Sequence, residues 1–306
     1  MNNTTTTNEI LASCGGVQTH SLQHIFEEQQ DDNSDNIPDI LNPSLYYSNE
    51  NAIDTLTLKK DVISVLSLNC QSLNAKIDEL RSYITMFQTQ NYQFSVICLQ
   101  ETWLDERADV NLLQIPGYNL ITHSKICSAH GGLAIYIREG LHYRNLTLEI
   151  TNSATRIWEG MFIEITIPNY YSHHENKKFI VGNIYRPPRD ILENYTEFIS
   201  QFDQLLTNLQ TYGKEIVVAG DFNIDLLKIH EKQSHNEFLE TVVANGFVPK
   251  IIYPTRFSRN SGSLIDNFFC KLSSYAGNTV AGILLQNISD HQPYFITLDF
   301  PTKREG

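Results

Sequence analysis

Val62-Ile-Ser-Val-Leu-Ser-Leu68 is a short apolar run rich in β-branched residues, and just behind it Leu73, Ile77, Leu80, Ile84 and Phe87 recur at helical spacing. The first pattern predicts a buried strand and the second a helix with one apolar face. Phe94 to Leu99 repeats the strand signal and ends at Gln100-Glu101. Further strand-like segments follow near 118–123, 132–138, 142–149, 157–167 and 178–185, separated by turn residues. Asp190 is a suitable N-cap for a helix that carries Ile191, Tyr195, Phe198, Phe202, Leu205 and Leu209 on one face. Ile216-Val217-Val218-Ala219, bounded by Gly213 and Gly220, is another buried strand, and a helix near 234–245 stops at Asn245-Gly246. Strands near 263–270, 280–285 and 293–299 complete the chain. Many strands in blocks, with few helices between them, predict an α/β architecture of two packed sheets flanked by helices.

Residues 1–58 lack this patterning. Asn, Thr, Gln, Asp and Ser dominate, which predicts a disordered N-terminal tail before a domain over 59–301 and a short C-terminal end at 302–306. The same segment holds no Lys or Arg and nine acids, so it carries −9 of the formal −13. The remaining 22 basic and 26 acidic residues leave the body mildly acidic at −4, and a polyanionic substrate is not excluded.

The polar start has neither a basic n-region nor an apolar h-region, and no stretch approaches the length of a membrane span. Five cysteines without C-x-x-C spacing argue against a disulfide framework or a zinc site. An intracellular location, nuclear or cytoplasmic, is the expectation, with no membrane association and no obligate protein partner.

Chemistry collects at the strand ends. Asn69 closes the first strand, Glu101 follows the second, Asp221 and Asn223 follow Ile216 to Ala219, and Asp290-His291 precedes the last strand. Gly, Asp and Asn are also ordinary turn residues, so Gly220-Asp221-Phe222-Asn223 alone reads equally as a polar turn. The recurrence of acids and amides behind apolar strands favours a site, because rigid strands open there into loops. Glu101 and Asn69 offer hard oxygen atoms suited to Mg²⁺ or Mn²⁺.

In order along the chain stand Leu68-Asn69-Cys-Gln-Ser72, Gln100-Glu101-Thr102, Asn183-Ile-Tyr185-Arg-Pro-Pro188, Gly220-Asp221-Phe222-Asn223, Leu264-Ile-Asp266-Asn267 and Ser289-Asp290-His291. This set resembles the endonuclease/exonuclease/phosphatase superfamily over about residues 60–300. Within it, the Leu-Asn-x-Gln-Ser and Tyr-Arg-Pro-Pro forms are most similar to the endonuclease domain of non-LTR, LINE-type retrotransposons.

The resemblance implies a DNase I-like four-layer α/β sandwich with two packed mixed sheets. It implies a Mg²⁺-dependent phosphodiesterase, Mn²⁺ being an alternative ion, with DNA as substrate. Glu101 becomes the principal metal ligand with Asn69 beside it and Asp290 near the ion. Asp221 orients or deprotonates the attacking water, and Asn223 holds a phosphate oxygen. His291, oriented by Asp266, contacts the scissile phosphate, and Tyr185 donates to the phosphate or supports the leaving group. Thr255, Arg186 and Ser289 are expected against phosphate or DNA. Gln71 departs from those members that carry a metal-touching acid two residues after the asparagine.

The superfamily also contains apurinic-site repair endonucleases and other phosphoesterases, and a catalytically idle retroelement-derived module is a further alternative. A basic groove for nucleic acid would draw on Lys125, Arg138, Arg186, Arg189, Lys250, Arg256 and Arg259. The sequence stops at Gly306 with no reverse transcriptase behind it, as expected of a fragment, a truncated copy or a stand-alone derivative.

Overall fold

A computed structural model describes residues 44–59, 62–124, 130–148, 157–167, 177–188, 192–212, 215–259, 261–273 and 279–299. Two sheets face each other. The first has seven strands, in the order β1 (Leu45–Tyr47), β14 (Val280–Leu284), β15 (Tyr294–Asp299), β2 (Val62–Asn69), β3 (Val96–Gln100), β5 (Leu133–Arg138) and β4 (Tyr118–His123). The second has six: β10 (Val248–Pro249), β13 (Asp266–Lys271), β9 (Glu215–Asp221), β8 (Lys177–Tyr185), β7 (Glu159–Ile167) and β6 (His142–Leu146). Both are mixed, with a parallel pair near the centre of each, β2 with β3 and β8 with β9, and a second, β1 with β14, at the edge of the first. β11 (Arg256–Phe257) and β12 (Gly262–Ser263) form a small hairpin beside them.

The apolar runs become central strands because both of their faces are covered. On β2, Ile63 and Val65 join the core between the sheets, whereas Leu66 and Leu68 pack on the helical side. There helix α1 (Asn49–Thr57) contributes Ala52 and Leu56, and α2 (Leu73–Thr89) contributes the stripe from Leu73 to Phe87. Helices α3 (Leu192–Gln210) and α4 (Gln233–Ala244) cover the second sheet with Phe198, Phe202, Leu205, Leu209, Phe238 and Val242. The layers are therefore helix, sheet, sheet, helix, as the resemblance implied. α4 ends as expected, with Asn245 capping and Gly246 at φ +73°.

The domain's start differs from the expectation. Residues 45–57, assigned to the tail, form β1 and α1. Tyr46 pairs with Ile283 in a parallel ladder, and Ala52 and Leu56 are wholly buried. The segment is short and lacks a long periodic run, so its composition concealed a contribution that is entirely tertiary. Residues 1–43 and 300–306, and the expected Asp190 cap, lie outside the described residues.

A polar bridge ties the sheets together beneath the strand ends. Asn183 of β8 reaches across to donate to the carbonyls of Leu99 and Ala134 at 3.0 and 3.1 Å. Gln100 donates to Asn183 and to Ser67, and Ser67 donates to the Tyr294 hydroxyl. That hydroxyl accepts from the Gly220 amide at 3.1 Å and donates to the Gly220 carbonyl at 3.0 Å. Buried polar groups satisfied in this way fix the register of one sheet against the other. Gly220 is required there, because a Cβ would lie 2.4 Å from the Ile184 carbonyl oxygen.

Candidate active site

The second sheet lines up four polar side chains in one row. Glu159 faces Tyr185, Tyr185 faces Asp221, and Asp221 faces Asp266 on successive strands. Opposed residues of neighbouring strands project from the same face, so the row presents its hydroxyl and carboxylates together. β9 runs two residues further than expected, through Asp221, and Phe222 then anchors the turn among Phe202, Phe238 and Phe269.

The first sheet supplies the opposite wall. Asn69 ends β2, and Glu101 follows β3 with φ +50°. Of the six non-glycine residues with positive φ among the described residues, five (Gln71, Ser72, Glu101, Trp103 and Asn223) sit in these strand-end loops, so backbone strain is concentrated at the site. The surroundings enforce it. Trp103 N donates to Gly131 O at 2.8 Å, Ser72 N donates to Glu101 O at 2.8 Å, and Gly132 N donates to the Glu159 carboxylate at 2.6 Å.

Asn69 joins the two walls. Its Nδ2 donates to Glu101 Oε1 at 2.9 Å and to Asp221 Oδ2 at 2.8 Å, while its Oδ1 accepts from Gln71 N at 3.2 Å. Trp103 Nε1 donates to the other Glu101 oxygen at 3.1 Å. Asp221 Oδ1 accepts from Asn223 N at 3.0 Å.

Across from Asp221, His291 Nδ1 lies 2.9 Å from Asp266 Oδ2, and Thr255 Oγ1 donates to the same oxygen at 2.7 Å. Ser289 Oγ donates to Asn69 O at 2.6 Å and accepts from His291 N at 3.1 Å, which ties the histidine's loop to β2. Asp290 pairs with Arg256 at 2.8 Å and lies 3.8 Å from His291 Nε2.

Burial and crowding of like charge set the protonation states. Burial, then the facing Asp266 carboxylate, pushes Asp221 up to about 7 against the opposing pull of His291 and Asn69. Burial alone would lower the His291 imidazolium. The Asp266 charge and hydrogen bond, with help from Asp221 and Asp290, outweigh it and raise the group to about 9. Tyr185 is raised by burial and by Glu101, so its phenol stays protonated and can donate.

The donor set suits a hard divalent cation. Glu101 is half-buried at the mouth, and among the described residues the buried Asp290 Oδ1 accepts no hydrogen bond. Asp221, Asp266 and His291 offer donor atoms within 4.8 Å of one another. The nearby Cys70 thiol is fully buried and its pKa is raised by that burial, so no soft thiolate competes.

The structure brings together Asn69, Glu101, Tyr185, Asp221, Asn223, Asp266, Asp290 and His291. Four placements differ in kind. Asn69 turns its NH₂ group toward two carboxylates and so orients both acids, while its Oδ1 accepts from Gln71 N. Thr255 and Ser289 have their hydroxyls committed to Asp266 and to backbone. Arg186 is 1% exposed, stacks 4.2 Å over the Tyr195 ring and donates to the carbonyls of Phe222 and Asn223. It braces the Gly-Asp-Phe-Asn turn. Asn223 Nδ2 in turn donates to Arg186 O at 2.7 Å, which uses one of the two N–H groups of its amide.

Trp103 and the Arg256 partner of Asp290 were missed as site residues. The indole stands two positions after Glu101, and Arg256 had been counted only toward a scattered basic groove. Of that groove, Lys125 and Arg189 lie outside the described residues.

Two facing mixed sheets, with acids, amides and a His–Asp pair at their strand ends, define a DNase I-like phosphoesterase fold. Residues 66–291 match the model of the Endonuclease/Exonuclease/phosphatase family, and the chain belongs to that family. Among solved structures it is similar to the endonuclease domain of TRAS1, a telomere-specific non-LTR retrotransposon. That likeness has 14% identity and a TM-score of 0.54, and covers 78% of this chain and 99% of the other. The AP endonuclease from Archaeoglobus fulgidus aligns at 16% identity with a TM-score of 0.55, over 78% and 99% of the two chains. The 3′–5′ exonuclease NExo from Neisseria meningitidis aligns at 18% identity with a TM-score of 0.57, over 78% and 100%. Comparison with curated protein sequences gives no match. Among the described residues, no helix is long and apolar enough to cross a membrane.

Proposed function

We propose that the protein is a divalent-metal-dependent endonuclease that nicks DNA, with Mg²⁺ or Mn²⁺ as its ion. The observation that carries this reading is the facing pair of polar chains: Glu101, Asn69 and Asp221 on one side, Asp266 and His291 on the other. Glu101 would hold the cation, with Asp290 near it. The ion supplies charge neutralisation at a phosphate oxygen.

The remaining steps belong to the chain's own side chains. Asp221, held by Asn69 and by the Asn223 amide, takes the proton of an attacking water. Its raised pKa makes it a base matched to neutral pH. His291, charged and fixed through Nδ1 by Asp266, presents its Nε2–H to the phosphate, where negative charge accumulates in the transition state. The Tyr185 phenol is a second donor to the phosphate or the leaving oxygen, and the other N–H of the Asn223 amide is a third.

DNA is favoured as substrate by the Leu68-Asn69-Cys-Gln-Ser72 and Tyr185-Arg-Pro-Pro188 forms, which resemble retroelement endonucleases, and by the likeness to the TRAS1 domain. Incubating the full chain with supercoiled plasmid and Mg²⁺ or Mn²⁺ tests it. The expected result is an open-circular product, abolished by chelator and by Asp221→Ala. Absence of nicking, or equal nicking by the variant, overturns the proposal. A strong preference for abasic over intact duplex in the same assay would assign a repair role instead.

A further inference from the structure

Residues 45–57 lie outside the 66–291 span that matches the family, yet they reach the catalytic end of the molecule. Tyr46 Oη donates to the Pro254 carbonyl at 2.8 Å, and its ring centroid lies 5.7 Å from that of Tyr253 and 6.3 Å from that of Phe257. Ser44 is fully buried and its Oγ accepts from Ile252 N at 3.0 Å. β1 is itself held by its ladder to β14. The Tyr47 ring closes over Gly282, where a Cβ would lie 2.4 Å from it, and Gln286 donates to Asn49 at 2.6 Å.

The loop gripped in this way touches the Asp266 side chain and pairs with the backbone around His291, Arg256 lying opposite His291 in an antiparallel bridge. Thr255 donates to Asp266, Phe257 N donates to Asp290 O at 3.2 Å, and Gln292 N donates to Thr255 O at 2.7 Å. The Pro254 carbonyl and the Thr255 N–H belong to one rigid peptide plane. Tyr46 holds its oxygen and the Ser263 carbonyl accepts its N–H at 2.9 Å, so the plane is fixed from both sides. That plane sets the direction in which Thr255 projects toward Asp266.

We infer that Tyr46 is a positioning residue. By clamping the Pro254–Thr255 peptide it orients the Asp266 carboxylate, and through it the His291 ring. The inference rests on the reading of His291 and Asp266 given above. It makes the segment before the family's matched span a working part of the site.

Full-length Tyr46→Phe, Tyr46→Ala, Leu45→Ala and His291→Ala test it, with plasmid-nicking kinetics and NMR of the His291 imidazole. Tyr46→Phe keeps the ring contacts and removes only the hydroxyl. It is expected to lower kcat about fivefold with KM within about twofold, and Tyr46→Ala to lower kcat by about 50-fold. In Tyr46→Phe the His291 imidazole resonances should shift without loss of folded signal, a readout that requires no turnover. Leu45→Ala, an exposed neighbour on the same strand, should match the parent in both measurements. If His291→Ala is inactive while both Tyr46 variants keep the parental kcat and imidazole signal, the inference falls and the reading of the site stands. If His291→Ala nicks at the parental rate, that reading falls and takes the inference with it.

Discussion

Asp221 and Asp266 are direct cross-strand partners in the antiparallel ladder of β9 and β13, each about 1% exposed or less. Two carboxylates opposed in this way repel, and nothing in strand packing calls for them. Asn69 on one side and Thr255 and His291 on the other supply the hydrogen bonds that make the pair tolerable. The repulsion helps to hold Asp221 near 7, and the attraction of both carboxylates helps to hold His291 near 9. Asp266→Asn removes both effects. The pH–rate profile of the variant should move to lower pH on its acid limb, as Asp221 ionises more easily, and on its alkaline limb, as His291 loses its main partner. A shift in one limb alone would mean that Asp266 couples to one group only.

The same two groups also make stability depend on pH in the metal-free protein. His291 titrates higher in the folded state than its ordinary 6.5, so its contribution is complete below about 6.5 and is lost as pH rises through about 9. Asp221 is also raised, from 3.8 to about 7, so the folded state holds its proton longer and stability falls as pH rises from about 4 through about 7. Both slopes have the same sign. In chelator, Tm should decline from about pH 5 to pH 9 by roughly 5 °C or more. Asp221→Asn should flatten the lower part of that decline and His291→Asn the upper part, as calorimetry at stepped pH would show.

The central strands and both long helices were legible because their apolar residues are covered on two faces or on one stripe. Strand periodicity also located Asn69, Glu101 and Asp221 at strand ends. It could not show that Glu101 and Trp103 adopt left-handed backbone, because the cause is contact with Gly131 and Gly132 from another loop. For the same reason Arg186 read as a phosphate contact. Its charge is visible in sequence, whereas its burial over Tyr195 is a property of the packed helix α3. β1 is three residues long, and its hydrogen-bonding partners lie more than 200 positions away.

Trp103 Nε1 occupies one lone pair of Glu101, which fixes the rotation of the carboxylate expected to hold the ion. Loss of such an outer contact commonly weakens metal binding by about 10- to 100-fold. Trp103→Phe keeps an aromatic ring near His130 and removes the donor. It should raise the Mn²⁺ dissociation constant by about tenfold in isothermal titration, with Tm in chelator unchanged within about 2 °C. Nicking should recover at higher metal concentration. If the variant binds Mn²⁺ as the parent does, Glu101 is held by other contacts.

From composition alone, removing residues 1–58 should leave nicking intact or improve it at low salt. The packing of β1 and α1 divides that expectation at Ser44. A chain starting at residue 44 keeps Ser44, Tyr46, Ala52 and Leu56, the buried or loop-gripping members of the segment. It also sheds seven acids and no basic residue, so its affinity for DNA should rise at low salt and match the parent near 0.3 M, where screening shortens to about 6 Å. A chain starting at residue 59 removes Ala52 and Leu56 from the core cluster that also holds Leu66 and Leu68, and frees the 252–257 loop. Leu56→Ala alone should cost about 2–4 kcal/mol, so loss of the whole segment should yield aggregated or strongly destabilised protein. Equal Tm values for the chains starting at 44 and 59 would show that β1 and α1 contribute nothing to stability, against the burial of Ala52 and Leu56.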